Sequence, residues 1–372
     1  MIIHLAEKRE RSMKAQFPYK LLLLSLAITA FGPRAAYCEV GAALAGPPQA
    51  EGKMHNELYA SDFEAMPASQ CFNGCESEAP CSRFYAGAEY RYIRTHFSEG
   101  LAFATTTDTL TATGLDRRVD ATELDFDYRS SFRVLAGYHL NDHADIQFSY
   151  WYLDTETRPS GEVGAGQIIT DPFGNVGAPG DTIDTSASVR LNVYDLEYIR
   201  PLAYDCAGTG FQYSAGVRFA DVDQFYDAVI RDATGPVQSS SVFTADFFGV
   251  GPYLSITGRV AAGQRQQFSL FAKGAMALLV GQYDVGGEVS LPGIGVVAGQ
   301  EADRVRMVPV METELGGMWE PADSLRFSAG WLFYSYWNLG ASGGTFGGAF
   351  TGADDSDIMS FDGLFVRAEV WF

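Results

Sequence analysis

The sequence is poor in basic residues, in cysteine and in long apolar runs. Its 26 Lys and Arg are outnumbered by 46 Asp and Glu, for a formal charge of −20 at pH 7. Such a balance offers phosphates no basic footprint and argues against a nucleic-acid partner. No apolar run reaches the roughly 18–20 residues that a membrane-spanning helix needs. The cluster Cys71, Cys75, Cys81 has no neighbouring histidine and lacks the paired C-x2-C spacing of a zinc site. Neither a metal nor a cofactor is therefore expected.

What is present begins at the N-terminus. Lys8, Arg9, Arg11, Lys14 and Lys20 precede the short apolar stretch Leu21–Phe31, the layout of a secretory signal peptide. Cleavage is compatible with Ala36-Tyr37-Cys38 or with Ala43-Leu44-Ala45, and the sequence leaves the choice between residues 38 and 45 open. Residues 1–38 thus read as signal, 39–82 as an irregular periplasmic lead-in and 83–372 as the folded unit. An exported chain meets oxidising surroundings, which makes Cys71, Cys75, Cys81 and Cys206 disulfide candidates of open connectivity.

From Arg83 onward apolar and polar residues alternate with period two, the mark of strands with unlike faces. In the segment 131–153, Phe132, Val134, Ala136, Tyr138 and Leu140 oppose Arg133, Gly137 and His139. After a tight turn at Asn141-Asp142-His143, Ile146, Phe148, Tyr150 and Tyr152 oppose Asp145, Gln147 and Ser149. Each apolar row matches the roughly 9–11 residues of a tilted membrane strand. The texture recurs to the C-terminus, where Leu364, Val366, Ala368 and Val370 oppose Arg367 and Glu369 before a terminal Phe372. The expected fold is all-β, an antiparallel transmembrane β-barrel of about ten strands (eight to twelve) with short periplasmic turns and long outer loops. The long connections are expected near 95–122, 154–187, 222–242, 282–304 and 338–360. A soluble two-sheet protein would share the period. It would not account for the alternating loop lengths or for aromatics at strand ends, among them Tyr92, Tyr138, Trp151, Tyr152 and Trp331.

Four short segments carry a family resemblance: Asp195-Leu196-Glu197-Tyr198, Ala215 to Ala220, Phe248-Gly249-Val250-Gly251-Pro252 and Phe361 to Glu369. Taken in order with barrel spacing, they resemble the Legionella-type major outer membrane protein family of pore-forming barrels, over roughly residues 83–372. The resemblance implies an outer-membrane location and a passive pore or a structural role, without naming a solute. Phe372 resembles the terminal aromatic that the barrel-insertion machinery reads. Outer-membrane lipid, lipopolysaccharide and a homo-oligomeric copy are the other expected partners.

On a pore reading the functional residues are the inward polar rows: Glu89, Arg91, Arg133, Asp145, Asp195, Glu197, Arg218, Lys273, Glu312, Glu314, Arg326, Arg367 and Glu369. Acids at 195/197 and 312/314 with Arg326 and Arg367 opposite would set up a transverse field. Paired charges that fill and rigidify the barrel are the competing arrangement, and about ten strands lie near the closed end of barrel sizes. An enzyme is not expected. The only Asp-His dipeptide, Asp142-His143, falls in a periplasmic turn, and His96 at the outer rim has no visible nucleophile. Asp171, Asp181 and Asp184, and the run Asp354, Asp355, Asp357, suggest cation binding or solvated loops, with no calcium-loop spacing to decide. A closed surface barrel with a structural or adhesive role is the alternative to the pore.

Overall fold

A computed structural model of the chain describes residues 83–372, apart from 99, 112–113, 142–143, 205–208, 263–266, 323 and 340–357. The signal and lead-in segments, the four candidate cysteines, Asp142-His143 and the run Asp354, Asp355, Asp357 lie outside the described residues. In chain order the strands are β1 (Phe84–Phe97), β2 (Leu101–Thr111), β3 (Gly114–Glu123), β4 (Arg129–Asn141), β5 (Ala144–Thr157), β6 (Ser160–Glu162), β7 (Gln167–Thr170), β8 (Val176–Gly177), β9 (Thr182–Tyr204), β10 (Thr209–Arg231), β11 (Val237–Ala262), β12 (Phe268–Leu291), β13 (Gly295–Ala322), β14 (Leu325–Trp337) and β15 (Ile358–Trp371).

Ten of them form one closed ring in the order β1-β4-β5-β9-β10-β11-β12-β13-β14-β15. The ring closes where β15 pairs antiparallel with β1, from Tyr85↔Trp371 to Phe97↔Met359. Phe372 sits at that seam, exposed, and exchanges backbone hydrogen bonds with Phe84. Closure satisfies every ladder and leaves no open edge within the lipid, the condition for crossing a membrane with strands. The turns β4–β5, β9–β10, β11–β12 and β13–β14 are short and lie at one end together with the start of β1 and the end of β15. That end is the periplasmic one.

The expected loops 222–242 and 282–304 are corrected by the structure. They are continuations of β10, β11, β12 and β13, so the ring stays at ten strands while five of them reach 23 to 28 residues. The reason they read as loops is an exchange of faces. In β10, Phe211, Tyr213, Val217 and Phe219 point outward while Ser214 and Arg218 point into the barrel. Beyond Phe219 the outward row gains Asp221, Asp223 and Asp227 beside Phe225 and Val229, and the inward row becomes Val222, Gln224, Tyr226, Ala228 and Ile230, mostly apolar. Lipid surrounds the first part and water the second, so the apolar row changes sides where the strand leaves the membrane. The hairpin ends at Asp232–Gly235, where Asp232 caps Thr234 N at 2.7 Å and Gly235 takes φ 105°.

Outside the membrane these extensions are covered from within by a small sheet ordered β3-β2-β7-β8, with β6 pairing onto β9. Ala102, Phe103, Ala104, Val163 and Ile169 pack on Ile183, Tyr226, Ile230 and Phe243 in one apolar core. That core continues down into the barrel through Ile93, Phe126, Leu153, Leu191, Leu279, Val308, Leu332 and Phe361, all at or near zero exposure.

At the periplasmic end large inward aromatics are accommodated by glycine on the neighbouring strand. The Tyr85 ring lies against Gly137, where an added Cβ would meet ring atoms at 2.0 Å. Gly137→Ala is expected to cost about 1–3 kcal/mol, the usual penalty for overpacking. Gly274→Ala, on an outward row with nothing within 4 Å of the new carbon, should be neutral. Urea titration of the refolded barrel, read by its electrophoretic mobility, separates the two; equal midpoints would refute the packing argument.

Candidate functional site: the charged belt and its vestibule

All thirteen charged residues expected to face inward do so, on the rows that alternate with the exposed apolar ones. The register sets opposite charges directly across from one another: Glu89↔Arg133, Glu89↔Arg367, Asp195↔Arg218, Lys273↔Glu314 and Arg326↔Glu369.

The pairs join into a belt across the lumen. Arg218 grips Asp195 in two parallel hydrogen bonds, Nε to Oδ1 at 2.6 Å and Nη2 to Oδ2 at 2.8 Å, and its Nη1 donates across the barrel to Glu312. Arg367 donates to Glu89 and, from Nη2 at 2.8 Å, to Glu314. Arg91 also binds Glu89, donates to the Tyr334 hydroxyl at 3.1 Å and lies over the Trp151 ring at 4.6 Å. Arg133 stands 3.7 Å from both Glu197 and Glu314 and donates to Ser149 at 2.9 Å. Arg91, Arg133, Arg218, Arg367 and Lys273 thus face Glu89, Asp195, Glu197, Glu312 and Glu314, five charges against five, and the belt is neutral. The transverse field considered from the sequence is replaced by interleaved pairs, because Arg218 and Arg367 each reach two acids.

Below the belt, Arg326 pairs with Glu320 at 2.7 Å and lies 3.7 Å from Glu369, and Arg259 joins Glu320. Asp145 pairs with His139 near the turn. Arg326, Glu369, His139 and Asp145 border a cavity of about 840 Å³ at the periplasmic end, whose lining also includes Arg83, Tyr85, Trp371 and the belt residues Arg133, Glu197, Lys273, Glu314 and Arg367. Above the belt the apolar core begins.

Sequence reasoning missed several participants. Trp151 shares the inward parity of Ser149 and Gln147 and is buried, so it belongs to the lumen and not to the outer aromatic girdle. Tyr253 and Tyr334, which stack on Arg218 and Arg91, were likewise readable from parity. Other candidates resolve into structural roles. Asp171 accepts from Phe173 N at 3.0 Å, Asn175 N at 2.8 Å and Ser241 Oγ at 2.6 Å. Asp181 accepts from Ala178 N at 2.7 Å and Ala233 N at 3.2 Å, and Asp184 lies 3.4 Å from Arg231. Among the described residues no three His, Cys, Asp or Glu are grouped to hold a metal. His96 points outward, with Nε2 2.6 Å from Asp362 Oδ1 on the neighbouring strand.

A closed antiparallel ring with an apolar outer band, charged inner rows and short turns at one end defines an outer-membrane β-barrel. The family model described as Legionella pneumophila major outer membrane protein precursor matches residues 78–372. The chain belongs to that family and its place is the outer membrane. No individually curated protein matches the sequence. Among solved structures it is similar to the outer-membrane protease OMPT of Escherichia coli, at 11% identity and TM-score 0.41 over 79% of this chain and 99% of that one. It is also similar to Neisserial surface protein A, at 11% and 0.23 over 79% and 100%. Ail of Yersinia pestis compares at 9% and 0.25 over 77% and 99%.

Two predictions follow from the charges. Arg218→Met strands Asp195 and Glu312 in the barrel and is expected to cost about 3–5 kcal/mol in urea unfolding; an unchanged midpoint would show that the belt carries no stability. Outside the membrane, Asp223, Asp246, Asp284 and Asp303 lie directly opposite one another across β10 to β13. Burial and the facing Asp303 hold the Asp284 carboxyl above its usual range, while Gln282 opposes the shift. A carboxyl raised in the folded state binds its proton more readily there than when unfolded. The outer extension should therefore gain stability as pH falls through the raised value. Slower amide exchange in β11–β13 at mildly acidic than at alkaline pH, after correction for intrinsic rates, is expected, and Asp284→Asn should remove the difference.

Proposed function

We propose that this protein is a closed outer-membrane barrel whose work is structural: it anchors and displays the extracellular extension of β9 to β13. The observation that carries this reading is the lumen, bridged by the neutral belt and filled above it by side chains of near-zero exposure such as Leu153, Leu191, Leu279, Val308 and Phe361. A filled apolar layer of this kind gives water and ions no path. On the same reading, outer-membrane lipid and lipopolysaccharide surround the apolar band and Phe372 serves as the signal for insertion. No catalytic step enters it.

A second reading, a porin-like conduit for small polar solutes, is favoured by one feature. The cavity of about 840 Å³ brings the periplasm up to the belt, so that only the belt and the apolar layer divide it from the outside. That layer is latched by three bonds from barrel side chains to inserted backbone: Tyr226 to Ala102 O at 2.7 Å, Gln224 to Leu339 O at 2.6 Å and Arg306 to Asn338 O at 2.9 Å.

Planar-bilayer recording of the refolded protein separates the readings. The structural reading expects silence both from the wild type and from the double variant Gln224→Ala, Tyr226→Phe. Stepwise channels from the wild type would overturn it; channels from the double variant alone would establish a latched conduit.

A further inference from the structure

Two charged groups of the vestibule, Lys273 and Glu197, keep bonding capacity that the belt does not use. Lys273 stands across from Glu314 in the register, yet it is the one belt cation with no ion pair within 4 Å among the described residues; its Nζ stands 5.7 Å from the Tyr253 ring. Glu197 is 3% exposed. Its Oε2 accepts from Ser214 at 2.7 Å, whereas its Oε1 has no hydrogen bond among the described residues and only Arg133 nearby, at 3.7 Å. Lys273 and Glu197 border the same cavity, and at about 840 Å³ it lies within the range of roughly 300–1,000 Å³ typical of small-molecule sites. A buried carboxylate oxygen left without a donor costs more than one that is satisfied, so a ligand that brings an N–H to it is favoured.

We infer that the vestibule is a binding site for small zwitterions, short peptides with free termini being the fitting class. The ligand's ammonium is received by Glu197 and its carboxylate by Lys273. A carboxylate oxygen without a donor and a cation with no acid within 4 Å, on the walls of one cavity, select this class. Leu135, Phe271 and Met318 supply apolar wall for small side chains. In a closed barrel the site is a periplasmic pocket, and in a conducting one an entry chamber, so binding and conductance are independent readouts.

The test is calorimetry on the refolded full chain in detergent with dialanine as probe, against N-acetyl-dialanine, which lacks the ammonium, and dialanine amide, which lacks the carboxylate. Dialanine is expected to bind, and each blocked analogue to bind at least about tenfold more weakly, about 1.4 kcal/mol. Lys273→Met, which leaves every ion pair within 4 Å in place, should make dialanine and its amide bind alike while keeping the preference over the acetylated form. Glu197→Gln should do the converse. Absence of dialanine binding to a barrel of native electrophoretic mobility would overturn the inference. So would a Lys273→Met variant that keeps the full preference for the free carboxylate.

Discussion

The guanidinium of Arg218, held between Asp195 on one wall and Glu312 on the other, is the contact on which the rest of the barrel depends. Ions this deeply buried are tolerable only when each finds a partner of opposite sign in good geometry. The register provides it, with Glu89 set against Arg133 and Arg367, and Asp195 against Arg218. The belt that results ties β1, β4, β9, β10, β13 and β15 together through the lumen. It divides the interior into an apolar outer part and a polar periplasmic chamber, and each candidate role follows from that division.

The barrel and its inward rows were legible in the sequence because lipid imposes the simplest of patterns. An apolar row facing hydrocarbon alternates with a polar row facing the lumen, and charge distinguishes the two. The reading failed where the solvent changes. Past Phe219 in β10 the period of two continues, but the polar row is now outside and the apolar row inside, so a search for lipid-facing apolar rows finds an acidic loop. The small sheet of β2, β3, β7 and β8 was invisible for another reason: Thr105, Thr106 and Thr107 in β2 carry little contrast between faces. Trp151 was misplaced by its residue type, although its parity with Ser149 pointed inward.

The pairing of the belt was not legible, because it depends on strand offset and on which walls face each other across the ring. The sequence shows acids at 195/197 and 312/314 and arginines elsewhere, and that distribution is equally compatible with a polarised channel. What decides between them is the length of arginine. Arg218 and Arg367 each span from the acid beside them to a second acid, and a field that would have acted on a solute is spent inside the protein. The same bridging leaves Lys273 and one oxygen of Glu197 over, both on the chamber side.

The seam between β1 and β15 carries a further meaning. Glu89 lies on the first strand of the ring and Arg367 on the last, and Arg367 also holds Glu314. A chain that ends before β15 lacks more than a tenth wall. It takes one of their cations from Glu89 and Glu314 and exposes two unpaired edges, at β1 and β14, to lipid. Shutting the cylinder and neutralising its interior are therefore one event, and an unclosed intermediate is penalised twice, in hydrogen bonds along its rims and in charge along its axis.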